Sequence, residues 1–116
     1  MLFAVRSRLE GVTTTVTVTG EIDLASVVSL RRELRAAQGH VRVDLADVDV
    51  IDSVGIGLLI GAARRTRDRG DTFAVVAAPD HVDSLLRRCG VHEVLAGGSD
   101  TVAPGAEPSA TRGVGP

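Results

Sequence analysis

The chain opens on two strand-like stretches. Leu2 to Leu9 and Val12 to Thr19 read as strands, the second built of valine and threonine throughout, and Glu10-Gly11 between them is a short turn signal, so the pattern predicts a hairpin. Thr13, Thr15, Thr17 and Thr19 alternate against Val12, Val16 and Val18, which gives the second strand one wet face and one dry face. From Leu24 to Ala37 the period lengthens. Leu24, Val27, Leu30, Leu34 and Ala37 recur at three- and four-residue steps with Arg31, Arg32 and Arg35 elsewhere on the cylinder, an amphipathic helix stopped by Gly39.

Val41, Val43 and Leu45 alternate as a third strand, followed by a connection through Asp47, Asp49 and Asp52. A long apolar helix then runs from near Ser53 to Gly70. Thr72 to Ala77 reads as a buried strand. Pro79-Asp80 opens a third helix in which Asp80 caps the free amides, Val82, Leu85, Leu86 and Cys89 face inward, and Gly90 closes the turn. A short apolar piece, Val91 to Leu95, ends the pattern. The order is ββαβαβα plus a short terminal element. The hairpin demands an antiparallel pair and the β-helix-β crossovers demand parallel neighbours, so the expected fold is a single α/β domain with a mixed β-sheet covered by helices.

Composition then sets the boundaries. Residues 97–116 hold Gly97-Gly98 and three prolines among small residues, and are expected to be a disordered Gly/Pro/Ala-rich tail behind a domain spanning residues 1–96. Phe3 and Phe73 are the only aromatic residues, which leaves no stacking platform for single-stranded nucleic acid. All thirteen basic residues are arginine, yet net charge is −2, without the basic excess that a run of phosphates demands. Nucleic acid is therefore not an expected partner. No apolar run approaches the roughly 20 residues of a bilayer-spanning helix, and no signal-type core follows Met1, so the expectation is a cytoplasmic protein without membrane insertion. A single cysteine, Cys89, excludes an internal disulfide and a multi-thiolate metal site. His40, His81 and His92 lack the spacing of a helical metal pair, and neither metal nor cofactor is expected.

Two short motifs carry the chemistry. Gly20-Glu21-Ile22-Asp23 ends the second strand, and Ile51-Asp52-Ser53-Val54-Gly55-Ile56-Gly57 lies where strand gives way to helix. Ser53 is placed at the N-cap, where its hydroxyl bonds a free amide or meets an incoming anion. A phosphate there would bring about −1.5 to −2 charges to a helix start able to stabilise it. Glu21, Asp23, Asp47, Asp49 and Asp52 follow strands and are expected at one end of the sheet, either as a solvated face or as a field that a phosphate intensifies against a docked partner. Gly55, Gly57 and Gly61 each cost a helix about 1 kcal/mol relative to alanine, which close approach to the sheet or to a partner backbone would offset. Leu58, Leu59 and Ile60 cannot all point inward, so at least one borders an apolar patch facing a partner.

These motifs, with Gly70 and the run from Leu85-Leu86 to Cys89-Gly90-Val91, resemble the STAS domain over about residues 3 to 95, and more closely the stand-alone bacterial anti-sigma-factor antagonists. The resemblance implies partner switching. Such a protein binds an anti-sigma factor that is a serine kinase, releases the sigma factor, and is inactivated by phosphorylation on the serine after the motif aspartate, here Ser53. A metal-dependent serine phosphatase resets it. The implied docking surface comprises Glu21, Asp23, Asp52, Ser53, Val54, Gly55, Ile56 and Gly57, with no catalytic residue. The family commonly carries Ser or Thr after the phosphorylated serine, and this chain carries Val54.

Two other functions use the same residues. A STAS scaffold in a lipid-transport or sensory assembly would keep the surface and dispense with the phosphoswitch. A serine hydrolase would use Ser53 with Asp80, Asp83 and His92, but Ile51 stands where a nucleophile elbow needs glycine.

Overall fold

Strands β1 (Ala4–Glu10) and β2 (Thr13–Ile22) form the expected antiparallel hairpin, turning at Gly11 with φ +61°. The computed structural model describes residues 3–96, so the tail expected over 97–116 lies outside the described residues. Helix α1 (Val27–Ala36), strand β3 (His40–Ile51), helix α2 (Ser53–Asp68), strand β4 (Phe73–Val76), helix α3 (Asp80–Arg88) and helix α4 (His92–Ala96) complete the order. The sheet runs β1-β2-β3-β4, with β2, β3 and β4 mutually parallel. Helical crossovers between parallel neighbours account for that arrangement.

Val16, Val18, Ile22, Val41, Val43, Leu45 and Phe73 from the strands join Leu30, Leu59, Val82, Leu86 and Leu95 from the helices in one core. Each fully buried leucine there contributes about 2 kcal/mol of transfer free energy. Among the described residues the helices cover one face of the sheet. The other presents Arg6 and Arg8 beside Thr17 and Thr15, with exposed Arg42 on β3.

Several sequence expectations shift by a residue or a face. Thr14, not Val12, takes the buried register on β2: its hydroxyl donates to the Gln38 carbonyl at 2.7 Å, while Val12 lies exposed in the hairpin turn. Leu24 does not face inward. The amides of Ala25 and Ser26 donate to Asp23 Oδ1 at 3.0 and 3.2 Å, which holds a turn, delays α1 to Val27 and leaves Leu24 73% exposed.

Strand β3 is longer than expected because β2 and β3 shift register between Thr17 and Thr19 and again between Gly20 and Glu21. Each irregularity inserts a residue on β3, so Leu45, Val48 and Ile51 stay buried at three-residue steps where a regular strand shows two. Strand β4 is an edge strand in which only Phe73 is fully buried. The cap of α3 is Pro79, without a side-chain bond, and Asp80 is the first helical residue. Cys89 is exposed: α3 ends at Arg88, the chain reverses at Gly90 with φ +75°, and Leu95 supplies the next buried side chain.

Candidate functional site

The candidate site lies where the parallel pair β2/β3 ends. Register pairing sets Thr19 beside Asp47, Glu21 beside Val50 and Ile22 beside Ile51, so the acidic residues of both strands reach the same end of the sheet. Glu21, Asp47 and Asp49 belong to the strands themselves rather than to connections. The Asp52 amide donates to the Ile22 carbonyl at 3.1 Å, and the chain then turns into α2.

Asp52, not Ser53, is the N-cap of α2. Its backbone is extended, with φ −103° and ψ −178°, and its Oδ1 accepts the Gly55 amide at 3.1 Å. Satisfying one of the orphan amides of the first turn is the work expected of a cap. Ser53 is consequently the first helical residue. Its side chain is exposed and its hydroxyl makes no hydrogen bond among the described residues. The first turn of α2 carries no acidic residue, so the positive end of the helix is left to Asp52 and to whatever approaches Ser53.

The Asp23 side of the site is built by a turn that sequence reasoning missed. Ser26 is buried, and its hydroxyl donates to the Glu21 carbonyl at 2.7 Å and accepts the Asp23 amide at 3.0 Å. These bonds pin the loop between β2 and α1, and Asp23 Oδ1 is engaged within it. The sequence signal for this turn is Asp-x-x-Ser ahead of an apolar run, which competes with the helical stripe that includes Leu24.

The expected docking residues therefore divide. Glu21, Asp23 and Asp52 are half-buried, Ser53 and Gly57 are exposed, and Val54 is 44% exposed. Gly55 and Ile56 are buried. A Cβ on Gly55 would collide with Ile22 Cγ2 and lie 3.0 Å from Ile51 Cγ1, so the helix passes over this strand pair too closely for any side chain there. Gly57 faces open space. Leu24, Val28, Val50 and Val54 are exposed aliphatics on the two segments, 21–28 and 50–54, that meet at the Ile22–Ile51 pairing. Leu58, Leu59 and Ile60 split as helical geometry requires: Leu59 is fully buried and the other two are half-buried against the core.

Two residues of the hydrolase reading, Asp83 and His92, are engaged with each other. Asp83 Oδ1 lies 3.0 Å from His92 Nε2, and its Oδ2 accepts from Arg87 at 2.8 Å. That hydrogen bond, together with the Arg87 and His92 charges, holds the Asp83 carboxyl below the ordinary carboxylate range. His81 bonds the Asp49 carbonyl, tying α3 to the end of β3.

A one-sided mixed sheet with a capped helix leaving its longest strand defines an α/β domain of known architecture. It aligns with the unphosphorylated form of the anti-sigma factor antagonist SpoIIAA at TM-score 0.69 and 15% identity, over 87% of this chain and 88% of that one. An anti-sigma factor antagonist from Mycobacterium paratuberculosis aligns at TM-score 0.72 and 20% identity, over 81% and 83%. The chain belongs to the STAS domain family: the family described as "Mlab, STAS domain" matches residues 5–96.

In sequence, the chain is similar to osmosensory protein A of Mycobacterium tuberculosis, 33% identical over 78% of this chain and 61% of that protein. It thus spans about three-fifths of that relative's length. It is also similar to the anti-sigma-B factor antagonist of Bacillus subtilis, 29% identical over 69% of this chain and 76% of that one.

Proposed function

We propose that the chain is an anti-sigma-factor antagonist that docks an anti-sigma factor serine kinase through the junction of β3 and α2, and that phosphorylation of Ser53 releases it. The observation that carries this reading is the division of labour between neighbours: Asp52 caps the helix and leaves the Ser53 hydroxyl exposed and unbonded. A hydroxyl on which the fold does not depend is free to be modified without unfolding the helix.

The similarity to proteins named anti-sigma-B factor antagonists supports the class of partner. The exposed aliphatics Leu24, Val28, Val50 and Val54 supply apolar area for a protein interface, framed by the carboxylates of Glu21, Asp23 and Asp52. The kinase transfers the γ-phosphoryl group of ATP to Ser53 Oγ, which loses its proton as ADP leaves. The product adds about −1.5 to −2 charges beside Asp52 and opposes any acidic or close-packed contact of the docked partner. A serine phosphatase then restores the docking form.

The test is incubation of the purified chain with each candidate kinase of the same genome and ATP, followed by mass measurement and peptide mapping. Phosphate on Ser53 that disappears in Ser53→Ala supports the switch, and phosphate mapping reproducibly to another residue overturns it. Val54 favours a second reading, a fixed STAS scaffold whose docking surface carries no switch. Under that reading the chain co-purifies with its partner and takes no phosphate from any of these kinases.

A further inference from the structure

Helices α1 and α2 enclose a groove of about 330 Å³ on the molecular surface. At one end its walls are aliphatic, formed by Val27, Val54 and Leu58, and at the other they are cationic, formed by Arg31, Arg35 and Arg65. Gly57 and Gly61 line it without side chains. A Cβ on Gly57 would meet nothing within 4 Å.

The three arginines are uncompensated. None of their guanidinium groups forms an ion pair or a hydrogen bond among the described residues, and Arg65 Nη2 is closed off from solvent without an acceptor. The single acidic residue of α1, Glu33, is turned away to accept the Ser7 hydroxyl at 2.8 Å. Burial, with the nearby charges of Arg35, Arg31 and Arg69, pulls the Arg65 guanidinium below its ordinary pKa. A chain of net charge −2 thus concentrates positive charge in one groove at a cost to its own stability.

We propose that this groove binds an acidic amphipathic helix of a protein partner, whose carboxylates pair with Arg31, Arg35 and Arg65 while its aliphatic ridge fills the slot over Gly57 beside Val54 and Leu58. The shape selects an elongated occupant over a point anion. From Val54 to Arg65 the wall extends about 16 Å, three helical turns, and Arg31 and Arg35 stand one turn apart along α1. The aliphatic end has no use for a phosphate. The groove shares Val54 and Gly57 with the docking surface of the proposed function, but the readouts differ: the switch is read by the mass of Ser53, and the groove by peptide binding to the unmodified chain.

The probe is a fluorescent synthetic peptide of about sixteen residues with leucines at three- and four-residue spacing and glutamates elsewhere, compared with the same peptide carrying lysines for the glutamates. Anisotropy titration of the full chain is expected to show saturable binding of the acidic peptide alone. Arg35→Glu is expected to weaken it at least about tenfold, while the melting temperature rises because the new carboxylate pairs with the cluster. Gly57→Leu is expected to block the slot without lowering the melting temperature. Arg42→Glu, on the opposite face of the sheet, changes net charge equally and is expected to leave peptide binding unchanged. Absence of binding up to about 1 mM, equal affinity in Arg35→Glu, or equal weakening in Arg42→Glu overturns the proposal.

Discussion

The amide of Asp52 donates to the carbonyl of Ile22 at 3.1 Å, closing the parallel seam of β2 and β3 at the last residue before α2. The helix start is therefore fixed to the sheet rather than carried on a loop. Ser53 follows directly, so its position relative to Asp23, one residue beyond Ile22, is set by strand pairing. A site held this way presents a constant surface, and a phosphate on Ser53 would change its charge rather than its shape.

Because Asp52 supplies the cap, the two neighbours should separate in a stability measurement. Asp52→Ala is expected to cost about 1 kcal/mol, the usual loss for an N-cap acceptor. Ser53→Ala, which removes an exposed hydroxyl without a partner, should stay within about 0.5 kcal/mol of the parent. Urea unfolding followed by far-UV circular dichroism reads both, and equal losses would assign the cap to Ser53 after all.

The α2 glycines make a second contrast. Gly55→Ala forces a methyl group against Ile22 and Ile51 and should destabilise the domain by about 2 kcal/mol, in the range of overpacked cores. Gly57→Ala enters open space and should gain about 1 kcal/mol from helix propensity alone. Opposite shifts in the urea midpoint at unchanged slope are the expected result. A loss at Gly57 would mean that its backbone, and not only its missing side chain, is needed.

Much of this arrangement was legible in the sequence because period and punctuation agreed. The threonine-valine alternation of β2, the stripe of Val27, Leu30 and Leu34, and the glycines at 11, 39, 70 and 90 locate elements whose local preferences match their tertiary places. Where reading and structure part, long-range pairing or side-chain bonding is the cause. The second half of β3 hid behind its register shifts, since Leu45, Val48 and Ile51 recur at a spacing that suits neither a regular strand nor a helix. Leu24 fits the helical stripe, but Asp23 and Ser26 spend their side chains on a turn that excludes it. At the site, Asp-Ser was visible, yet a sequence cannot rank two adjacent capping residues. The geometry ranks them, and it shows that Gly55 and Ile56 are buried.

Asp83 joins α3 to α4 through His92 at 3.0 Å and to its own helix through Arg87 at 2.8 Å. Its carboxyl titrates below the ordinary value of 3.8, chiefly through the Arg87 hydrogen bond. A depressed folded-state pKa adds stability that is present above the unfolded-state value and is lost as pH falls through the folded-state value. Asp83→Asn should therefore lower the melting temperature at neutral pH, with the gap to the parent closing as pH falls below the carboxylate range. A gap that persists unchanged in acid would show that packing, not charge, is what Asp83 supplies.

Ser53→Asp tests whether docking is governed by charge. The substitution places a carboxylate in a first turn that has none, so the dipole favours it by about 0.5 kcal/mol while Asp52 next to it opposes it. The fold should be nearly indifferent, with far-UV circular dichroism and melting temperature close to the parent. Affinity for the proposed kinase partner should fall, and the fall should shrink as salt rises, because the added charge is exposed and screened over about 8 Å at physiological ionic strength. A loss of affinity independent of salt would instead point to a filled hydrogen-bond position at Ser53, and then Ser53→Val, which carries no charge, should weaken docking just as much.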